Sequence, residues 1–265
     1  CDLCWQLRGE GAGASLDDMK KDTNFVAILK ADGDDMGEVL RGERFKRFNK
    51  ENTPSRLSAL SSLIHETCEE KLRKSVEAQG GVCLFAGGDD VLCVLPGEAA
   101  LEAASNIATR FKDEMASECT MSAGVAIFHY KLPVYVGLEA TQELLSRAKG
   151  KEGKNSVAFA IIGSSGISPD KMECVRPYGW NELREMLDVV DFMRRSGLPM
   201  SQIRRIADAA KEDLEEAEII IKYLMGRKII SWNDGEKLIF YLKSGFLSDA
   251  FLVYNAFKVR GVKIE

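Results

Sequence analysis

The feature that most constrains the fold is a pair of apolar runs separated by a short acidic turn. From Leu84 to Leu95 the chain reads LFAGGDDVLCVL. Apolar runs on either side of a Gly/Asp break are typical of a β-hairpin. Glycine lets a phosphate or a backbone come close, and adjacent aspartates offer the hard oxygen ligands that Mg²⁺ or Mn²⁺ prefers. The turn is therefore either a solvent-exposed Gly/Asp turn or the centre of a site, and these residues alone do not decide which.

A second acidic turn follows the first predicted strand. Residues 25–37 read FVAILKADGDDMG, an apolar run that leads straight into carboxylates and two glycines. A strand that ends at Asp32, beside a hairpin that turns on Asp89 and Asp90, brings acidic ligands together next to an amide-rich turn. The two turns together favour a functional hairpin and predict a site for a metal-bound triphosphate.

Charge and hydropathy restrict the class of protein. The chain has 265 residues, of which 45% are hydrophobic, which is enough for packed cores. A formal net charge of −5 argues against binding nucleic acid by bulk electrostatics, so we expect such contacts to be local or made through partners. No apolar run could span a membrane and no signal-peptide pattern is present, so we expect a cytoplasmic protein without membrane contact.

The seven cysteines do not suggest a disulfide framework, because they are odd in number and scattered. Cys1 and Cys4 form a C-x-x-C pair, which is half of a four-thiolate zinc site. The pair is either the last arm of a zinc ribbon or a chance occurrence. We interpret the other five as structural or incidental: Cys68, Cys83, Cys93, Cys119 and Cys174.

Hydrophobic periodicity predicts an α+β fold. Strand and helix patterns follow the order βαββαβ with a further αβ, and we expect the helices to be segregated from a mainly antiparallel sheet. This order fits a ferredoxin-like palm, in which one long helix is predicted from Pro54 to Ala78. Towards the C-terminus every pattern is helical, which indicates a separate helical bundle. The predicted divisions are a zinc-ribbon remnant and linker at 1–21, a palm domain at 22–166 and a helical bundle domain at 176–265.

Lys149 and Lys154 lie where the third palm helix leads into the next strand. In a βαββαβ palm this junction can approach the turn at Asp32, where the two ammonium groups would neutralise a triphosphate. Basic residues at a helix C-terminus also complement its dipole. With the acidic turns present, we favour phosphate contact.

Four motifs carry a resemblance to a known family. They are Asp32-Gly33-Asp34, Gly87-Gly88-Asp89-Asp90, Ser122-Ala123-Gly124, and Ala148-Lys149 with Gly153-Lys154-Asn155. Together they resemble the second palm domain of the large subunit of type III CRISPR effector complexes. Two further stretches look closer to the Cmr-like than to the Csm-like branch of that family: His129-Tyr130-Lys131-Leu132-Pro133 and Asp32-Gly33-Asp34-Asp35-Met36-Gly37. The resemblance covers nearly the whole chain and implies a zinc-binding segment before the palm and an all-helical domain after it. It also implies that the chain is the C-terminal part of a longer subunit, or a shortened relative.

The resemblance implies a palm nucleotidyl cyclase that makes cyclic oligoadenylate from ATP. Target RNA would activate it within an antiviral complex containing guide RNA and other subunits. Asp32, Asp89 and Asp90 would be catalytic and would hold two Mg²⁺ or Mn²⁺ ions, with Zn²⁺ at the N-terminal cysteine pair. Amides from Asp34 to Gly37 would cradle the triphosphate. The implied nucleotide-binding residues are Gly33, Asp34, Asp35, Met36, Gly37, Gly87, Gly88, Lys149 and Lys154.

Two alternatives remain. The first is a stand-alone cyclase of the diguanylate type, but this hairpin reads Gly-Gly-Asp-Asp-Val where that family has Gly-Gly-Asp/Glu-Glu-Phe. The second is an inactive palm that serves as a scaffold. The three carboxylates argue against a scaffold, because packing them together without a cation is costly.

Overall fold

The structure, a computed structural model, describes residues 16–20, 23–42, 51–163, 173–174 and 176–257. It divides into two compact units, the first ending at Trp180 and the second beginning at Asn181. The predicted limits of the palm and helical domains, at 166 and 176, lie before this division. The proposed zinc ligands Cys1 and Cys4 fall outside the described residues. Within the described ranges, no helix is long and apolar enough to cross a membrane.

A seven-stranded sheet forms the centre of the first unit. Its strands are β1 (Phe25–Gly33), β2 (Val82–Gly87), β3 (Asp90–Pro96), β4 (Met121–His129), β5 (Ser156–Ile162), β6 (Glu173–Cys174) and β7 (Tyr178–Gly179). They are ordered β2-β3-β1-β4-β5-β6, and β7 also pairs with β5. All the pairings are antiparallel except that of β4 with β5. This arrangement confirms the predicted α+β, ferredoxin-like βαββαβ palm with an added strand.

Helices cover both faces of the sheet. The helices of this unit are α1 (Leu16–Met19), α2 (Met36–Leu40), α3 (Pro54–Glu66), α4 (Arg73–Glu77), α5 (Ala100–Glu114) and α6 (Val134–Gly150). Ile28 shares a core with Leu144 of α6, whereas Leu29, which alternation directs to the other face, is also fully buried. We expected the helices to be segregated from the sheet. The β4-α6-β5 crossover adds a helix on the second face, so both faces of the sheet are covered.

The predicted helix from Pro54 to Ala78 is present but is not α-helical throughout. A π-helical segment, Thr67–Leu72, joins α3 to α4. In an α-helix a spacing of four residues overshoots one turn by about 40°. The wider π-helical turn contains more residues, so it keeps residues spaced by four on one face. The buried residues with this spacing are Ile64, Cys68, Leu72 and Val76.

The second unit is entirely helical among the residues described. Five helices account for it: α7 (Trp180–Arg195, which begins at the last residue of the first unit), α8 (Met200–Glu212), α9 (Leu214–Gly226), α10 (Trp232–Ser244) and α11 (Leu247–Phe257). Helix α9 packs against α8 and α10, and α8 packs against α11. Side-chain caps support two helix starts, since Asp213 accepts from the Glu215 amide and Ser231 from the Asp234 amide. The predicted helical region after the palm is confirmed.

Candidate functional site

The two acidic turns meet at one end of the sheet. Asp32 of β1 and Asp90 of β3 are register partners, so their side chains emerge side by side on the same face. Gly87 pairs with Asp90 across the hairpin, and Gly88, at the first position of the intervening turn, has a φ of 61°. Positive φ at this position explains the glycine. The predicted hairpin is confirmed, and its aspartates lie next to the end of β1.

Asp89 rests against the backbone of Gly33. The Gly33 amide donates a hydrogen bond of 3.2 Å to the Asp89 carbonyl. A Cβ atom at Gly33 would lie 2.9 Å from Asp89 Cβ and 3.0 Å from its Oδ2, so only glycine leaves room for this side chain. Burial raises the pKa of the Asp89 carboxyl, and the neighbouring charge of Asp90 raises it further.

The aspartates are the correct kind of ligand for a hard divalent cation. Asp32 and Asp90 stand opposite each other. Burial and then the charge of Asp90 raise the pKa of Asp89, and a cation would relieve this like-charge repulsion. In the part of the chain that the structure describes, no group of three His, Cys, Asp or Glu side chains is close enough to hold a metal ion. Instead, the Lys149 ammonium forms an ion pair with Asp32 Oδ2. The donor chemistry therefore fits Mg²⁺ or Mn²⁺, with a lysine neutralising one of the candidate ligands.

Lys149 is held at the acidic turn by a second contact. Its Nζ donates a hydrogen bond of 3.1 Å to the Gly33 carbonyl. Burial lowers the pKa of Lys149, and the positive charges of Lys154 and Lys30 lower it further. Lys30 was not predicted as part of the site. It precedes Asp32 by two residues in the same strand, and this alternation, which places both on one face, was the available signal.

Lys154, which lies between α6 and β5, also contacts the first acidic turn. Its Nζ lies 2.5 Å from Asp35 Oδ1, and this hydrogen bond raises the pKa of the lysine. Both lysines predicted from the sequence thus lie beside carboxylates of the first acidic turn, at Asp32 and Asp35.

Asp34 has a different environment from the one predicted. Its side chain is only 1% exposed, and its amide donates a 2.8 Å hydrogen bond to the Thr120 carbonyl. That amide is therefore not available to a phosphate, which corrects the expectation that it belongs to the cradle. Among the described residues, the structure shows no acceptor for the amides of Asp35, Met36 and Gly37. Of the four amides predicted to cradle the triphosphate, these three remain available.

The Cys68 thiol, in the π-helical segment, is buried close to the hairpin. Burial, followed by the charges of Asp89 and Asp90, raises its pKa to about 12. We expect Cys68 to resist iodoacetamide at pH 8.5 in the native protein, because alkylation requires the thiolate. In guanidinium chloride it should react like an ordinary thiol. Peptide mass spectrometry measures the extent of Cys68 alkylation in the native and in the unfolded protein. Rapid labelling of Cys68 in the native protein would contradict the buried environment.

Comparison with known proteins identifies relatives of this chain. A family model described as Cas10/Cmr2, second palm domain, matches residues 25–158. The CRISPR system Cmr subunit Cmr2 of Pyrococcus furiosus is 33% identical over an alignment of 189 residues, and the alignment covers 62% of this chain and 22% of that protein. The Cas10/Csm1 deoxyribonuclease of Mycobacterium tuberculosis is 27% identical over an alignment of 149 residues, and the alignment covers 51% of this chain and 18% of that protein. The chain thus spans about a fifth of the length of these relatives.

Solved structures show the same fold. Csm1 of T. onnurineus superimposes with a TM-score of 0.67 at 17% identity, covering 93% of this chain and 40% of that one. A Csm1–Csm4 cassette in complex with cA4 gives a TM-score of 0.58 at 17% identity, covering 87% and 36%. The palm and helical region described above therefore recur together in those proteins.

Proposed function

The chain belongs to the Cas10/Cmr2 second palm domain family, and from this membership we propose that it synthesises cyclic oligoadenylate from ATP within a type III CRISPR complex. The observation that carries the proposal is the register of the two acidic turns. Asp32 and Asp90 face each other across adjacent strands, and Asp89 lies against Gly33. This geometry provides carboxylate oxygens for a metal-bound triphosphate at the end of a palm sheet.

The proposed reaction joins two nucleotides without a covalent enzyme intermediate. The 3′-hydroxyl of one ATP attacks the α-phosphorus of another, a new phosphodiester forms, and pyrophosphate leaves. Repetition lengthens the chain. Its terminal 3′-hydroxyl then attacks the α-phosphorus of its own 5′-triphosphate, which forms the last phosphodiester, closes the ring and releases pyrophosphate. Two divalent ions would supply electrostatic stabilisation of the attacking and leaving oxygens. Asp32, Asp89 and Asp90 are the residues that would hold them, with the Gly33 carbonyl assisting.

The lysines and the turn amides are proposed to bind the phosphates. Lys149 and Lys154 already lie on carboxylates of the first acidic turn, so a bound triphosphate would exchange these ion pairs for phosphate contacts. The amides of Asp35, Met36 and Gly37 would donate to phosphate oxygens. Gly87 and Gly88 would let the nucleotide approach the hairpin backbone.

Structural neighbours support this chemistry. The Csm1–Csm4 cassette has been solved with ATP, with pppApA, with pppApApA and with cA4. This set contains ATP, two linear oligoadenylates and a cyclic adenylate, which are the species that stepwise synthesis would pass through. Csm1 is paired with a second subunit, Csm4, in these structures, which supports the proposal that this chain works with other subunits. Guide RNA and target RNA would be bound by the assembled complex. A net charge of −5 favours RNA contact through those partners.

The test is to incubate the assembled complex with labelled ATP, target RNA and Mg²⁺ or Mn²⁺, and to identify products by mass. We expect cyclic adenylates that disappear when EDTA removes the metal and return when Mn²⁺ is added. Unchanged ATP in a complex that binds RNA normally would favour the inactive scaffold, as would ATP binding that needs no metal. Cyclic diguanylate from GTP, without cyclic adenylates from ATP, would favour the diguanylate-type alternative.

A further inference from the structure

Asp34 is a carboxylate buried at the site end of the palm sheet. Its Oδ1 accepts a 2.7 Å hydrogen bond from Ser122 Oγ. Its Oδ2 accepts from Thr120 Oγ1 at 2.8 Å and from the Asn155 amide at 3.0 Å. Burial of a carboxylate is costly unless it is fully hydrogen-bonded, and these donors meet that requirement.

These hydrogen bonds join three separate parts of the chain. Asp34 directly follows β1, Thr120 and Ser122 lie at the start of β4, and Asn155 immediately precedes β5. One side chain therefore ties together the ends of neighbouring strands next to the acidic turns. The Asp34 amide adds a further bond to the same region through the Thr120 carbonyl, at 2.8 Å.

The turn that leads into β5 has a backbone conformation that needs outside support. Gly153, Lys154 and Asn155 have φ values of 78°, 49° and 50°. Asparagine tolerates this left-handed region, but lysine avoids it, so the two in succession persist only when surrounding contacts hold them. The hydrogen bond from the Asn155 amide to Asp34 is such a contact, and it acts at the residue next to Lys154.

We propose that Asp34 is a positioning residue: by holding the Asn155 amide, it fixes the turn that places the Lys154 ammonium at the first acidic turn. The nucleotide part of this inference rests on the proposed function, in which Lys154 contacts the triphosphate. Asp34 itself is buried, and its two carboxylate oxygens already accept hydrogen bonds from Ser122, Thr120 and Asn155. Its effect on nucleotide binding is exerted through Lys154.

The conservative variant should preserve the arrangement. In Asp34→Asn, the amide oxygen can accept from Thr120 and Asn155, while the amide nitrogen donates to Ser122 Oγ, since a hydroxyl both donates and accepts. Asp34→Ala removes all these contacts. The pair of variants thus separates the hydrogen-bonding role of the side chain from its charge.

Hydrogen exchange of the Asn155 amide in nucleotide-free protein tests the positioning role directly. We expect exchange to be about tenfold faster in Asp34→Ala, the factor expected for loss of one hydrogen bond, and close to wild type in Asp34→Asn. Thr141→Val is the matched control, because it removes buried hydrogen bonds to the Ile28 and Gly137 carbonyls elsewhere on the sheet. Unchanged exchange in Asp34→Ala, or equal acceleration in Thr141→Val, would overturn the proposal.

Ser122→Ala covers the case in which Asp34→Ala does not fold. It removes one donor that orients the carboxylate and should accelerate exchange at Asn155 by about threefold. Wild-type exchange in this variant would count against the proposal.

A double-mutant cycle on ATP affinity tests the route through Lys154. We expect Asp34→Ala and Lys154→Ala each to weaken binding, and the double variant to bind no more weakly than Lys154→Ala alone. Losses that multiply would show that Asp34 acts by another route and would overturn the inference. If the wild-type protein bound no ATP, the proposed function would fail, and hydrogen exchange would still decide the positioning role.

Discussion

Replacing Asp89 and Asp90 together by alanine is expected to abolish the synthesis of cyclic adenylates, with a loss of at least about a thousandfold. Asp90 lies opposite Asp32, and Asp89 lies against Gly33. The double variant therefore removes both carboxylates of the hairpin and leaves only that of Asp32 among the three proposed metal ligands. The fold should survive. Gly88 keeps the turn conformation, and the variant removes the repulsion that raises the pKa of Asp89. Product formed per mole of protein and the thermal midpoint are the two measurements.

Glu98→Ala with Glu102→Ala is the matched control. It removes two exposed carboxylates near the opposite end of the sheet, where the neighbouring Gly97 approaches Phe25. This variant should retain full synthesis at an unchanged thermal midpoint. Wild-type product from the hairpin variant at equal protein would reject the site assignment. A loss of product accompanied by a large fall in thermal midpoint would attribute the effect to misfolding instead.

The parts of the site that lie on strands were predictable from the sequence. β1 is an apolar run, interrupted only by Lys30, that leads to Asp32, and the hairpin consists of two apolar runs on either side of Asp89 and Asp90. Strand periodicity directs residues two apart to the same face. The alignment of Asp32 with Asp90 then follows once β1 pairs with β3. The order of the elements along the chain predicts this pairing as well, because a βαββαβ fold places its first strand between its third and fourth strands.

The parts that lie in turns were not predictable in the same way. The sequence placed the Asp34 amide in the triphosphate cradle, because nothing in the pattern shows that this residue turns inward to Thr120, Ser122 and Asn155. The residue type of Asp35 likewise does not predict its left-handed backbone conformation. Such conformations are set by tertiary contacts, which periodicity does not encode.

The resemblance motif around Ser122-Ala123-Gly124 gains a physical explanation from the structure. Ser122 orients Asp34, which links the motif to the acidic turn. Gly124 lies where α6 crosses β4, and its role is one of close approach between two backbones. A Cβ atom there would lie 2.4 Å from the Thr141 carbonyl oxygen and 2.5 Å from the Leu145 nitrogen. Both are main-chain atoms of α6, so no side-chain rotation can relieve the overlap.

Gly124→Ala is therefore expected to lower the free energy of unfolding of the first unit by about 3 kcal/mol or more, because α6 must move off the sheet. β4 cannot move in its place, since Gly124 pairs with Lys30 on one side and Ala158 on the other. Gly150→Ala, in the same helix with nothing within 4 Å of the added methyl group, is the control and should be neutral or slightly stabilising. Urea unfolding followed by circular dichroism measures both. A change below about 1 kcal/mol in Gly124→Ala would mean that α6 yields easily, and the contact between α6 and β4 would then not be what requires glycine at this position.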